Sequence, residues 1–269
     1  MAMSVVRFMY KSPELAFYSM IEKTEVIVLA AGKGTRMGGE LPKVLVPLHG
    51  KAMIDYVLDT VRTLDLGKPI VVVGHKAEMV EATCGTDCSY VLQETQQGTG
   101  HAVLVAESSV QEDTKGILIV YGDQPLVTAD TLRSMVLPLN LGVKLVLATT
   151  LVLDDELFEE QFSRFGRIIR NEKGKIIKIV EAKDATAEEL LVREVNVGFM
   201  AFDRQWAFEH LHQLKNDNAQ GEYYLTDLVA FAFQDDLEID SVQLNELEAL
   251  GANTPDQLEF LHQVVQKYE

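Results

Sequence analysis

Residues 25–31 (EVIVLAA) form an almost unbroken apolar run closed by Gly32. A run without alternation fits a parallel strand covered on both faces, and in α/β folds the C-terminal end of such a strand is where ligands dock. Apolar residues then recur at helical spacing over residues 52–64, followed by a second strand pattern at 69–74 (PIVVVG) and a helix at 76–83. The alternation continues through a short strand at 90–92, a helix at 100–110 and a strand at 116–121 (GILIVY) that stops at Gly122-Asp123. This order predicts an α/β fold with a doubly wound, mostly parallel sheet and right-handed crossovers.

From 144–150 onward the texture changes. Strand-like pieces at 166–170, 175–181 and 195–202 predict a small β-rich lobe built onto the same sheet. Helical patterns follow at 224–233 and 256–268, the second carrying Leu258, Leu261, Val264 and Val265 along one packing face. There is no internal repeat and no hexapeptide periodicity of the β-helix kind.

Apolar positions in residues 1–23 are broken by Arg7, Lys11, Pro13 and Glu14, which excludes a signal-peptide core or a membrane span there. The expected location is the cytoplasm. Met20 offers an alternative start, so residues 1–23 are read as an N-terminal extension and 24–269 as the folded domain.

With Lys+Arg 24 against Asp+Glu 41, the net charge of −17 repels nucleic acid and anionic membranes, leaving small molecules as the expected partners and no obligate protein partner. The local exception is the stretch 33–51, where Lys33, Arg36, Lys43 and Lys51 face a lone Glu40 and suit a small anion. Cys84 and Cys88 are too few for a structural zinc site and are read as reduced, structural thiols.

Within LAAGKGTRM (residues 29–37), Gly32 and Gly34 permit a sharp turn that exposes amide groups, while Lys33 and Arg36 add charge. Such a loop cradles phosphates, yet it is neither a Walker A loop nor a Rossmann fingerprint. Lys43, held after Pro42, adds a second fixed cation, as phosphoryl or nucleotidyl transfer requires. Asp123, at the end of the most apolar strand, is placed to take a hard cation such as Mg²⁺.

In order along the chain these pieces are LAAGKGTRM, Leu41-Pro42-Lys43, Gln93-x-x-Gln96-x-Gly98-Thr99-Gly100-His101, and Tyr121-Gly122-Asp123-x-Pro125. Gly166-Arg167-Ile168, Glu181-x-Lys183-Asp184, Asn196-x-Gly198, the run 220–227 and Gly251-Ala252-Asn253 complete the series. The series resembles the uridylyltransferase (pyrophosphorylase) domain of bacterial bifunctional N-acetylglucosamine-1-phosphate uridylyltransferase, without that family's left-handed β-helix acetyltransferase domain.

The resemblance implies a Rossmann-like nucleotide-diphospho-sugar transferase fold, with UTP and N-acetylglucosamine 1-phosphate as substrates and Mg²⁺ as cofactor. By it, Ala31, Gly32, Gln93 and Gly98 frame the nucleoside, and Arg36 and Lys43 face the triphosphate as the catalytic cations. Asp123 and Asn253 hold Mg²⁺, while Thr99, Tyr121, Gly166, Glu181 and Asn196 line the substrate side. His101 is read as a hydrogen-bonding rather than a basic residue, since a sugar phosphate is already an anion and needs no general base.

Two departures bear on the sugar. Asn196-Val197-Gly198 replaces the family's usual Asn-Thr-Gly, and Gln124 follows Gly-Asp where a small apolar residue is usual. Other sugar 1-phosphates, glucose or N-acetylgalactosamine, therefore stay open. So do a cytidylyltransferase, in which Gly-Asp-Gln-Pro also occurs, and a non-catalytic nucleotide-sugar-binding protein.

Overall fold

The computed structural model of the chain describes residues 23–32, 34 and 41–268. The expectations for the extension, and for Lys33 and Arg36, lie outside the described residues. The strands are β1 (Thr24–Leu29), β2 (Ile70–Val73), β3 (Ser89–Leu92), β4 (Gly116–Tyr121), β5 (Leu145–Leu151), β6 (Arg167–Arg170), β7 (Ile176–Val180), β8 (Glu194–Asp203) and β9 (Ile239–Gln243). They form one sheet in the order β9-β5-β8-β4-β1-β2-β3, with β6 pairing β8 and β7 pairing β6.

Pairings of β1 with β2 and β4, of β2 with β3, and of β5 with β9 are parallel. Strand β8 runs antiparallel to β4, β5 and β6. The small lobe is the antiparallel pair β6–β7, attached to the main sheet through β8. This is the mostly parallel sheet with a β-rich lobe that the sequence pattern predicts.

The apolar strands divide their side chains between two cores. Val26 and Val28 of β1, with Leu118 and Val120 of β4, join one cluster, whereas Ile27, Leu29, Ile117 and Ile119 join the other. On the first face pack the helices α1 (Met53–Arg62), α2 (Ala77–Cys84), α4 (Ala129–Val136) and α7 (Pro255–Tyr268). On the second pack α3 (Thr99–Val105), α5 (Arg204–Leu211) and α6 (Leu228–Gln234). A central strand covered on both sides is why 25–31 reads as a continuous apolar run. Ile27 is fully buried, and truncating such a residue to Ala costs about 2–5 kcal/mol.

Three details differ from the pattern. The helix expected over 100–110 ends at Val105 and gives way to a 3-10 turn, Glu107–Ser109. Beyond it the chain is captured by the buried Glu25 carboxylate, which accepts from the Gln111 N–H at 2.8 Å and the Thr114 hydroxyl at 2.6 Å. The helix expected from 224 begins at Leu228, because the Leu225 N–H is taken by the Thr99 hydroxyl at 3.1 Å and the chain first makes a 3-10 turn. Helices α4 and α5 and edge strand β9 carry patterns too short or too mixed to stand out, and tertiary packing decides them. Among the described residues no helix is long and apolar enough to cross a membrane.

Candidate active site

Strands β1 and β4 end side by side, with Leu29 opposite Tyr121, so Ala31-Gly32 and Asp123 emerge at the same edge of the sheet. A cleft of about 490 Å³ opens there. Ala31, Gly32, Lys43, Gln93, Gly98, Thr99, Tyr121, Asp123, Gly166, Glu181, Asn196 and Asn253 all line it. The cleft lining thus includes every described residue to which the family resemblance gives a catalytic, nucleotide, substrate or metal role.

At one end of the cleft, Lys43 opens a 3-10 turn that is pinned by the buried Val44 and Leu45. Its ammonium pairs with the Asp123 carboxylate and donates to Asn253 Oδ1 at 2.6 Å. Both partners of the ion pair are largely shielded, with side-chain exposures of 12% and 16%. Gly34 lies against this lysine: its φ is +62°, and a Cβ there would lie 2.7 Å from Lys43 Cβ. Only glycine combines that left-handed turn with so close an approach.

Two hard oxygens, Asp123 Oδ2 and Asn253 Oδ1, therefore converge on one cation supplied by the protein itself. An oxygen-only donor pair fits Mg²⁺, which usually takes one or two protein ligands and completes its shell with phosphate and water.

Gln93 is buried, and its amide Nε2 lies 3.2 Å from the Gly98 carbonyl and 2.9 Å from His101 Nδ1. With the nitrogen engaged by those two neighbours, the amide oxygen is the Gln93 atom with acceptor capacity left. His101 accordingly serves as the hydrogen-bonding residue expected of it.

The wall that carries Asn196 rests on an irregularity in β8. The register against β5 shifts between Asn196 and Met200, and Asn196 Oδ1 accepts from the Gly198 N–H at 3.2 Å. Gly198 has φ +102°, and a Cβ there would come 2.8 Å from the Tyr121 ring, so glycine lets ring and strand meet. The Asn196 N–H donates to the Gly166 carbonyl at 2.8 Å, tying the lobe to the bulge.

Opposite stands Glu181, whose Oε1 accepts from the Thr226 hydroxyl at 2.9 Å. Burial pushes the Glu181 carboxyl above its usual range; Asp227, Asp184 and Glu222 add to the rise and the Thr226 hydrogen bond opposes it. Burial likewise raises the Tyr121 phenol, with Glu181 and Asp123 nearby adding to the effect.

The cleft also contains residues to which the sequence reading gave no role. Tyr224 and Thr226 are buried beside Glu181, and the Tyr224 hydroxyl accepts from Gln220 Nε2 at 2.9 Å and donates to Asp184 at 3.3 Å. Burial lifts the Tyr224 phenol to about 12. Both sit in the run 220–227, whose dense polar and aromatic content was the available signal. Arg164 and Phe165 also line the cleft, with nothing in the local pattern to mark them. Cys84 and Cys88 lie elsewhere, buried and free, with burial raising the Cys84 thiol to about 12.

A three-layer α/β fold with a glycine turn, a lysine and a carboxylate at its C-terminal edge is an arrangement suited to a nucleotidyltransferase-type domain. Residues 26–150 match the MobA-like NTP transferase domain. Among curated proteins it is similar to Bifunctional protein GlmU of Exiguobacterium sibiricum, 43% identical over 229 residues, which are 84% of this chain and 49% of that protein. The GlmU protein of Marinobacter nauticus is 42% identical over 246 residues, 91% of this chain and 52% of the relative. The chain spans about half the length of the curated relatives it matches.

Among solved structures, UDP-glucose pyrophosphorylase complexed with UDP-glucose superposes with a TM-score of 0.74 at 20% identity, covering 91% of this chain and 99% of that one. A 4-diphosphocytidyl-2C-methyl-D-erythritol synthase from Anaerococcus prevotii gives 0.65 at 17% identity, with 92% and 99% covered. At such identities the likeness speaks for the shared fold.

Proposed function

We propose that this chain joins UTP to N-acetylglucosamine 1-phosphate, forming UDP-N-acetylglucosamine and pyrophosphate. The observation that supports this reading is that the described residues named from the sequence for nucleoside, phosphate and sugar all line a single cleft. The GlmU relatives supply the substrate pair. Gln93 supports uridine: an acceptor at that point matches the N3–H of uracil, where cytosine has a bare ring nitrogen.

In the reaction, an oxygen of the sugar phosphate attacks the α-phosphorus of UTP. A new P–O bond forms as the bond to the β-phosphate oxygen breaks, and the electron pair leaves with pyrophosphate. No proton needs to be removed, so the protein's part is alignment and charge compensation. Lys43 stands at the phosphate end to meet developing negative charge, and Arg36 is assigned the same task from the sequence. Asp123 and Asn253 would hold Mg²⁺, which when bound supplies further charge neutralisation. Glu181, as a carboxylate, accepts sugar hydroxyls, and Asn196 presents an amide beside it.

The test is a pyrophosphate-release screen that crosses UTP, CTP and dTTP with the 1-phosphates of N-acetylglucosamine, glucose and N-acetylgalactosamine. UTP with N-acetylglucosamine 1-phosphate is expected to be fastest and to require Mg²⁺. A preference for CTP or for another sugar overturns the assignment. UDP-sugar binding without any pyrophosphate release would make the chain a binding protein instead.

A further inference from the structure

The two positions at which the sequence departs from the family it resembles, Gln124 and Val197, meet in one hydrogen bond. Gln124 follows Asp123 in the turn after β4 and is only 6% exposed. Its Nε2 donates to the Val197 carbonyl at 2.9 Å and to the Ala249 carbonyl at 3.2 Å. Its Oε1 is shielded from solvent and has no hydrogen-bonding partner. One amide nitrogen therefore bridges the β8 bulge, between Asn196 and Gly198, and the 3-10 turn Glu246–Ala249 that leads to Asn253.

The crossing is close. A Cβ on Gly251 would lie 3.0 Å from the Asp123 carbonyl oxygen and 3.1 Å from Gln124 Cγ. Packing alone would be served by an apolar side chain of the same length, which leaves no buried acceptor unanswered. What the amide adds is a pair of directed bonds to two segments that carry site residues.

We propose that Gln124 is a positioning residue: it couples the Asp123–Asn253 pair at the phosphate end to Asn196 at the sugar end, so that the two halves of the cleft are set as a unit. The assignment of those halves rests on the function proposed above. The 3-10 turn has an independent anchor outside the cleft, where the Glu248 carboxylate accepts from the Thr128 N–H at 3.1 Å and from the Thr128 and Thr131 hydroxyls at 2.8 and 2.7 Å. Loss of the Gln124 bonds should therefore loosen the turn rather than unfold it.

Gln124→Met keeps the length and removes both donors. In the full chain its expected effect is a fall in kcat of about tenfold, with rises of roughly five- to tenfold in both the KM for the sugar phosphate and the half-saturating Mg²⁺. Calorimetric titration with UDP-N-acetylglucosamine should show a smaller gain in affinity on adding Mg²⁺ than the unaltered chain shows. Hydrogen exchange on the ligand-free protein needs no substrate and should show faster exchange at 196–199 and at 249–254 together.

Should the Met variant not fold, Gln124→Glu carries the test. Its carboxylate cannot donate to either carbonyl and repels both, so both segments should again exchange faster than in the parent. Exchange unchanged in either segment, or kinetic constants within twofold of the parent despite a lowered melting temperature, overturns the proposal. If the parent chain releases no pyrophosphate yet the two segments loosen together, the substrate assignment fails and the coupling stands.

Discussion

The two ends of the cleft handle charge in opposite ways. At the phosphate end a carboxylate and a carboxamide oxygen are answered by an ammonium, with all three side chains drawn from segments far apart in the chain: Lys43, Asp123 and Asn253. At the sugar end the Glu181 carboxylate is answered by a hydroxyl and surrounded by Asp184, Glu222 and Asp227, which raise its pKa along with burial. The first end is compensated and can exchange one cation for another. The second is left short of donors and is suited to reading hydroxyl groups.

The comparison is broken most severely at the phosphate end. Asp123→Ala removes the charged member of the oxygen pair and is expected to lower kcat/KM on the order of 10³-fold. Steady-state pyrophosphate release over a Mg²⁺ titration checks this; high Mg²⁺ should fail to restore the rate. Lys43→Ala removes the fixed cation and leaves Asp123 and Asn253 in place, with an expected loss on the order of 10²-fold, mainly in kcat. Small, equal losses in both variants would mean that the pair is a structural ion bridge.

The sequence announces these two ends unequally. The phosphate end is legible because its chemistry sits at strand ends: Gly32 and Gly34 after an apolar run, and Asp123 after GILIVY, mark the edge before any partner is known. The pairing of Asp123 with Asn253 depends on how a distant loop folds back, and only the ordered resemblance pointed to it. Tyr224, Thr226 and Gln220 supply much of the sugar end. The dense polar and aromatic content of the run 220–227 marks it, but which of its residues meet Glu181 depends on tertiary contacts such as the Thr226 hydrogen bond.

The same limit applies to the fold. The buried strands β1, β2 and β4 are visible as apolar runs. By contrast, β9 (IDSVQ) is a half-exposed edge strand fixed by its parallel pairing with β5. The start of α6 depends on the Thr99 hydroxyl, which lies more than a hundred residues earlier in the chain.

At the sugar end the largest single effect is expected from Glu181→Gln, which keeps the shape and removes the charge. A hydrogen bond to a charged group is worth about 1.5–3 kcal/mol, so kcat/KM for the sugar phosphate should fall roughly 10- to 10²-fold, carried by KM. The sign of the pH dependence follows from the raised pKa. Between the ordinary carboxyl value of 4.5 and the higher folded value, the folded chain holds a proton that the unfolded chain has released. Stability contributed by Glu181 is therefore greatest in acid, falls as pH rises through that window, and is fully lost above the folded pKa. Binding runs the other way: KM for the sugar phosphate should rise as pH falls into the same window, and Glu181→Gln should flatten both profiles.

The smallest effect tests the link between the carboxylate and its hydroxyl partner. Thr226→Val removes the donor at 2.9 Å from Glu181 Oε1 and leaves the volume of the side chain nearly unchanged. Because that hydrogen bond lowers the Glu181 pKa against the upward push of burial, its loss should move the carboxyl further up. The acid limb of the KM profile should shift to higher pH, while KM at neutral pH rises only about threefold, corresponding to less than ~1 kcal/mol. A melting curve separates this from general damage, since a purely structural role for Thr226 would lower stability at every pH and leave the acid limb where it was. A limb that stays fixed while KM rises would show that Thr226 contacts the sugar itself and that Glu181 is tuned by burial and its acidic neighbours alone.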